Sequence, residues 1–126
     1  MNVLVAEDEP LARLTIEKAL SKAGYNVSVC SDGSQAWAAL QRDGAPELVV
    51  LDWMMPGLDG IELCRRLREL RGMSSPYIIL LTARDRTTDI IQGVQAGADD
   101  YITKPFVQED LLTRVQVGEQ LLALQR

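Results

Sequence analysis

The feature that most limits how this chain can fold is a regular alternation of short apolar runs with segments of helical periodicity. Five apolar runs are bounded by polar or turn residues: 3–5, 27–30, 48–51, 78–81 and a weaker run at 101–102. Runs of this length predict strands, and the longer segments between them predict helices. Strict alternation of the two, with strands apolar on both sides, predicts a parallel sheet covered by helices on each face.

The helical segments follow the predicted strands at 12–23, 36–40, 61–70, 90–96 and from residue 111 onward. Glycines stand near the ends of the first four segments, at Gly24, Gly44, Gly72 and Gly97. Glycine is a common helix stop signal, because it tolerates the backbone conformation that ends a helix. We therefore expect a single α/β domain spanning residues 1–126, with a last helix at about 107–126.

Composition excludes several classes of function. The formal net charge of -5 argues against direct nucleic-acid binding, which needs clustered basic residues. With a histidine count of 0, Ser-His triads and histidine-rich zinc sites are excluded. Cys30 and Cys64 lie in apolar contexts that favour buried free thiols in a reducing compartment. No apolar run approaches the ~20 residues of a membrane span, so we expect a cytoplasmic protein without membrane association.

Polar side chains stand where the predicted strands end. Glu7 and Asp8 follow the first strand, Asp52 ends the third, Thr82 ends the fourth, and Lys104 follows the fifth. Each has an ordinary explanation when taken singly, such as a helix cap for Asp8 or a solvated surface charge for Lys104. Because parallel strands place their carboxyl ends at one edge of the sheet, where such folds bind ligands, we expect these groups to converge there.

The charges of this cluster predict a metal site. Glu7, Asp8 and Asp52 sum to -3 and Lys104 returns +1, which leaves an excess of negative charge that a divalent cation can offset. Oxygen-only ligands favour a hard ion, and Mg²⁺ accepts one or two carboxylates together with phosphoryl oxygens. With such an ion present, Asp52 can act as a nucleophile toward phosphorus and form an aspartyl phosphate.

Four segments together resemble the signatures of response-regulator receiver domains of two-component signalling, of the chemotaxis-regulator type. They read VLVAEDEP, VVLDWMMPGLDG, ILLTARD and AGADDYITKPF, in this order along nearly the whole chain. The resemblance implies a flavodoxin-like, doubly wound sheet of five parallel strands in the order 2-1-3-4-5, with five helices. It also implies phosphorylation at Asp52 by a sensor histidine kinase or phosphotransfer protein, and weak self-phosphorylation and autodephosphorylation.

The resemblance assigns a role to each member of the cluster. Asp8 and Asp52 ligate Mg²⁺ together with the backbone carbonyl of Met54, and Glu7 acts through water. The family most often has aspartate at the position of Glu7, so the longer side chain is a departure. Arg84 corresponds to a position that flanks the phosphoryl group.

The remaining assignments concern the response to phosphorylation. Lys104 neutralises phosphoryl oxygens and is joined to Pro105 by a cis peptide, the kind of bond that is energetically plausible only before proline. Thr82 is the switch hydroxyl and Tyr101 the switch aromatic, which moves inward when Thr82 is drawn toward the phosphoryl group. The face formed by the fourth helix, fifth strand and fifth helix is then expected to change most and to control a partner or output domain.

Two features suggest how that face is used. Arg114 can pair with Asp99 or Asp100 across a homodimer, although all three can equally be solvated charges. Residues 117, 121 and 124 continue an apolar pattern at heptad spacing, which resembles a signalling helix leading to an output module and is almost equally typical of a long terminal helix.

Three other functions were weighed against the receiver interpretation. A flavodoxin-type cofactor site needs a phosphate-cradling loop where this chain has Glu7, Asp8 and Glu9. An aspartyl-nucleophile, Mg²⁺-dependent phosphatase needs a second acid two residues after the nucleophile, where this chain has Met54, and it remains the alternative function. A pseudo-receiver lacks acceptor-site residues that are all present here.

Overall fold

The computed structural model describes residues 1–71, 76–83 and 87–125. Strands and helices alternate strictly within these ranges. The elements are β1 (Asn2–Ala6), α1 (Pro10–Lys22), β2 (Asn26–Cys30), α2 (Gly33–Leu40), β3 (Leu48–Asp52), α3 (Gly60–Arg71), β4 (Tyr77–Thr82), α4 (Thr87–Ala96), β5 (Asp100–Thr103) and α5 (Gln108–Leu124). All the predicted strands and helices are present, whereas Gly72 and Arg84 lie outside the described residues.

The five strands form one parallel sheet in the order β2-β1-β3-β4-β5. This confirms the predicted flavodoxin-like topology. The direction of winding reverses between β1 and β3, which are hydrogen-bonded neighbours. Ligands of open α/β sheets bind outside the carboxyl ends of the strands at such a reversal, and here residues 7, 8 and 52 lie at that point.

The sheet separates two apolar layers because alternate residues of each strand point to opposite faces. Leu4 belongs to a layer that includes residues of α2, α3 and α4, whereas its neighbour Val5 belongs to a layer that includes residues of α1 and α5. The last four residues of β1 and all of β3 and β4 are buried. The edge strands β2 and β5 are only partly covered, so the expectation of strands apolar on both sides holds for the central three alone.

Local sequence explains how the first helices begin. Glu9 caps α1 by accepting hydrogen bonds from the backbone N–H groups of Leu11 and Ala12, and Pro10 occupies the first helical position. The alternative interpretation of Asp8 as this cap is therefore wrong. Asp32 caps α2 in the same way, through the N–H of Gln35.

The two cysteines are free and buried, as predicted. Among the residues that the structure describes, no helix combines the length and hydropathy needed to cross a bilayer.

Candidate functional site

Three carboxylates meet at the carboxyl edge of the sheet. Glu7, Asp8 and Asp52 each offer a ligand oxygen, and these oxygens all lie within 4.8 Å of one another. The parallel register explains the meeting, because Ala6 lies opposite Leu51, so that Glu7 and Asp52 come next at the same edge of the sheet. The structure thus brings together the acids on which the sequence interpretation depended.

The three acids differ in their access to solvent. Glu7 is 1% exposed and Asp52 is 6% exposed, whereas Asp8 is an exposed residue. Glu7 therefore forms the inner wall of the acidic cluster and Asp8 its open side. Two hydrogen bonds hold the backbone of Glu7 in place. The N–H of Glu7 donates to the carbonyl of Cys30, and the carbonyl of Glu7 accepts from Nη1 of Arg13.

Lys104 closes the cluster from the end of β5. Its Nζ lies 2.8 Å from Oε1 of Glu7 and 3.1 Å from Oδ1 of Asp52. The backbone N–H of Lys104 donates to the carbonyl of Thr82, which fastens this residue to the end of β4. The peptide between Lys104 and Pro105 is cis, in agreement with the resemblance.

The electrostatics of the cluster follow from burial and from the excess of acids. Burial raises the pKa of Glu7, the neighbouring Asp52 raises it further, and the contact with Lys104 only partly offsets both effects. Burial by itself would lower the pKa of Lys104, but hydrogen bonds to the two carboxylates outweigh it and the pKa is raised. Lys104 is therefore held as a cation, while the ionised form of Glu7 is disfavoured.

A small cavity lies beside the acidic cluster, under α4. Its volume is about 110 Å³, and it is lined by residues that include Trp53, Leu80, Thr82, Gly93 and Tyr101. Thr82, at the end of β4, is 2% exposed, and Tyr101 on β5 is half-buried. The two residues that the resemblance names as the switch thus border the same space.

The loop between β3 and α3 carries Met54, whose side chain is 60% exposed. The loop starts at Trp53, which is 4% exposed and packs in the core, and it is closed by a hydrogen bond from the N–H of Gly60 to the carbonyl of Trp53. Sequence reasoning did not single out Gly60 or Gly33. The segment VVLDWMMPGLDG ends in Gly60, directly before the predicted helix 61–70. A glycine at such a position is the signal that could have identified Gly60.

The charges that could pair across a homodimer also form ion pairs within the chain, and the homodimer stays a prediction. Nη1 of Arg114 lies 2.7 Å from Oδ1 of Asp100, and its Nε lies 3.1 Å from Oδ1 of Asp110. Asp99 pairs with Nη2 of Arg68 at 2.7 Å. The reason is proximity, since α3, β5 and α5 bring these side chains together without a second molecule.

Comparisons with known proteins agree on one family. The family model described as the response regulator receiver domain matches residues 3–116. Response regulator MprA of Mycobacterium leprae is 44% identical over 116 residues, which cover 92% of this chain and 50% of that protein. The chain thus spans about half the length of the curated relatives it matches.

Solved structures give the same result. The receiver domain of the Francisella response regulator 1452 has a TM-score of 0.89 and 35% identity, covering 96% of this chain and 98% of the other. A structure titled the BeF3-activated DrrB receiver domain has a TM-score of 0.82 and 34% identity, covering 94% of this chain and 97% of the other.

Proposed function

Since the chain belongs to the response regulator receiver domain family, we propose that it accepts a phosphoryl group on Asp52 in a Mg²⁺-dependent reaction and thereby switches a signalling output. As a receiver domain it is a regulatory signalling domain. The phosphoryl donor is a sensor histidine kinase or a phosphotransfer protein.

One observation carries this proposal. Lys104 contacts both buried carboxylates, Glu7 at 2.8 Å and Asp52 at 3.1 Å, in a cluster that Asp8 opens to solvent. An acceptor carboxylate needs a fixed cation on one side and access for a donor on the other. Both conditions are met around Asp52.

In the transfer step an oxygen of Asp52 forms a bond to phosphorus. The bond between phosphorus and the imidazole nitrogen of the donor breaks at the same time, and its electron pair leaves with the donor. Lys104 neutralises one of the phosphoryl oxygens, and the hydroxyl of Thr82 donates a hydrogen bond to another. The same groups serve the later hydrolysis of the acyl phosphate, in which water attacks phosphorus.

The donor set fits Mg²⁺. Asp8 and Asp52 provide carboxylate oxygens, Met54 provides its backbone carbonyl, and Glu7 acts through water. When bound, Mg²⁺ supplies positive charge that offsets the negative charge developing on the phosphoryl oxygens. The raised pKa of Glu7, which reflects burial and the nearby Asp52, supports a cluster with more negative charge than Lys104 alone balances.

The cavity under α4 supports the switch role of Tyr101. Phosphorylation adds negative charge and acceptor oxygens at the strand ends, and Thr82 moves toward them. The ring of Tyr101, which is half-buried in this structure, then moves into the cavity of about 110 Å³. Phosphorylation thus favours one of two packings of the same side chains, which changes the α4-β5-α5 face.

The helix α5 supports a role for that face in output. Its inner stripe, Leu111, Val115 and Leu122, is buried, whereas Leu121 and Leu124 are 41% and 82% exposed. The chain spans about half the length of curated relatives, so we propose that the exposed stripe and the α4-β5-α5 face together contact an output domain or a second copy. Sedimentation before and after phosphorylation separates these two partners, because only self-association changes the mass.

The direct test of the acceptor is incubation with acetyl phosphate and Mg²⁺, followed by intact-mass measurement. We expect a single phosphoryl adduct on the wild type, none on Asp52→Asn, and a strong decrease when Mg²⁺ is chelated. Asp110→Asn is the matched control, because Asp110 lies on α5 and pairs with Arg114. Absence of an adduct on the wild type contradicts the proposal. Turnover of added phosphomonoesters favours the phosphatase alternative. The sequence argues against that alternative, because Met54 occupies the position where such a phosphatase has its second acid.

A further inference from the structure

The loop of residues 53–59 between β3 and α3 rests directly on the first turn of α2. A Cβ atom added to Gly33 would lie 1.7 Å from the carbonyl oxygen of Leu58 and 2.7 Å from its carbonyl carbon. A contact this short means that only glycine fits, since the atoms in the way belong to the backbone and not to a flexible side chain. Next to this contact, a Cβ on Gly57 would lie 3.2 Å from Oγ of Ser34.

The other end of the loop is equally confined. A Cβ added to Gly60 would lie 2.6 Å from the carbonyl oxygen of Asp52 and 3.1 Å from Cα of Trp53. The hydrogen bond from Gly60 to the carbonyl of Trp53, at 2.9 Å, closes the loop at its base. The α3 end of the loop therefore packs closely against the backbone of Asp52 and is hydrogen-bonded to that of Trp53.

We propose that Gly33 is a positioning residue for the metal site, acting through Leu58 on the backbone carbonyl of Met54. This inference rests on the proposed function, in which that carbonyl ligates Mg²⁺. A side chain at residue 33 would displace Leu58. Because the loop is held at Gly60, residues 54–57 would have to shift to accommodate this displacement. Met55 is buried in the core, whereas Met54 is 60% exposed, so the backbone at residue 54 is less confined by packing and takes up the change.

The choice of ion gives this role a distinctive signature. Mg²⁺ requires near-ideal octahedral geometry at about 2.0–2.1 Å, whereas Ca²⁺ accepts a range of geometries at about 2.3–2.6 Å. A displaced carbonyl therefore weakens Mg²⁺ binding more than Ca²⁺ binding. A variant that is merely less stable, with an intact site, keeps the ratio of the two affinities.

The experiment compares Gly33→Ala with Gly118→Ala. Gly118 is the matched control, because a Cβ there would lie 2.7 Å from Cδ1 of Tyr77, and it is located on α5 away from the loop. Both variants are made in a Trp37→Phe background so that the fluorescence of Trp53 reports ion binding beside Asp52. Mg²⁺ and Ca²⁺ are titrated separately, and urea unfolding with a chelator present gives the stability of each variant.

We expect the Kd for Mg²⁺ to rise about tenfold in Gly33→Ala, the size of effect seen when groups that orient metal ligands are changed. The Kd for Ca²⁺ should rise less than about threefold, since its coordination is more tolerant. Gly118→Ala should lose stability with both Kd values unchanged. If Gly33→Ala does not fold, Gly57→Asn provides a weaker push on the same loop, because Asn tolerates the positive φ of 76° at this position.

The outcomes separate this inference from the function on which it rests. A wild-type protein that binds Mg²⁺, together with folded loop variants that keep the wild-type ratio of Mg²⁺ to Ca²⁺ affinity, overturns the positioning role of Gly33 alone. A wild-type protein that does not bind Mg²⁺ overturns the metal site of the proposed function, and the inference with it.

Discussion

The ammonium group of Lys104 lies 2.8 Å from the carboxylate of Glu7, a residue that is 1% exposed to solvent. Lys104 is thus closer to this inner acid than to the proposed acceptor Asp52, at 3.1 Å. Two buried carboxylates share a single cation in this arrangement. Without a bound cation, the negative charge of the cluster therefore exceeds the positive charge of Lys104.

Glu7→Gln should raise the free energy of unfolding of the metal-free protein by about 1 kcal/mol, a typical gain from removing an unfavourable charge. The reason is that a neutral isostere relieves the repulsion by Asp52 and the desolvation of a buried charge. Urea unfolding in the presence of a chelator measures this change. The same variant should bind Mg²⁺ more weakly, whereas Glu7→Asp, which keeps the charge, should bind it more strongly than Glu7→Gln. A loss of metal-free stability in Glu7→Gln would contradict the prediction.

Gly93→Ala should stabilise the protein and impair the switch. Gly93 lies within α4, where alanine is favoured over glycine by about 1 kcal/mol. The added methyl group would lie 3.3 Å from Cδ1 of Leu80 and 3.8 Å from Cζ3 of Trp53, at the wall of the cavity beside Tyr101.

Two measurements test this prediction. Urea unfolding should give a gain of about 0.5–1 kcal/mol, and the change of Trp53 fluorescence on adding beryllofluoride, a phosphoryl mimic, should be smaller than in the wild type. The Kd for Mg²⁺ serves as the control and should not change, since Gly93 is not among the proposed metal ligands. An unaltered fluorescence response would show that the cavity does not limit the movement of Tyr101.

Asp99→Ala should lower the free energy of unfolding by about 2–3 kcal/mol, the cost of leaving a buried donor unsatisfied. Oδ2 of Asp99 accepts from the N–H of Ile78 at 2.7 Å and from Nη2 of Arg68 at 2.7 Å. It thereby ties the start of β5 to the start of β4 and to α3. Asp99→Asn keeps an acceptor oxygen and should lose clearly less. Urea midpoints measure both, and equal losses in the two variants would contradict this role.

Cys64 should make stability fall at alkaline pH. Complete burial raises the pKa of its thiol to about 12, so the folded state keeps the thiol protonated. The stabilising effect is fully present below the unfolded pKa of about 8.5 and is lost as pH rises toward 12. Between pH 7 and pH 10 the wild type should lose about 2 kcal/mol more than Cys64→Ala does.

Urea unfolding at the two pH values measures this difference. The stability lost to the cavity in Cys64→Ala is the same at both pH values, so it does not affect the comparison. The native thiol should also resist alkylation at pH 8 until the chain unfolds. Rapid alkylation of Cys64 in the folded protein, or equal pH slopes for the two proteins, would contradict the prediction.

The architecture and the membership of the acidic cluster could be predicted from the order of residues along the chain. The alternation of apolar runs with helical segments is a local property, and parallel strands necessarily bring their carboxyl ends to one edge. That is why Glu7, Asp8 and Asp52 could be placed together before any coordinates, although their roles as ligands and acceptor stay predictions. The receiver motifs can be read directly along the chain, and the family membership and sheet order that their resemblance implied are confirmed.

The contacts between individual side chains, in contrast, depend on how the elements pack in three dimensions. Arg114 of α5 pairs with Asp100 of β5 within the chain, a contact between residues of two separate elements. The contact of Gly33 with Leu58 likewise depends on how closely α2 approaches a loop that is distant in sequence. Such contacts depend on packing distances of a few tenths of an ångström between elements, and periodicity along the chain carries no information about those distances.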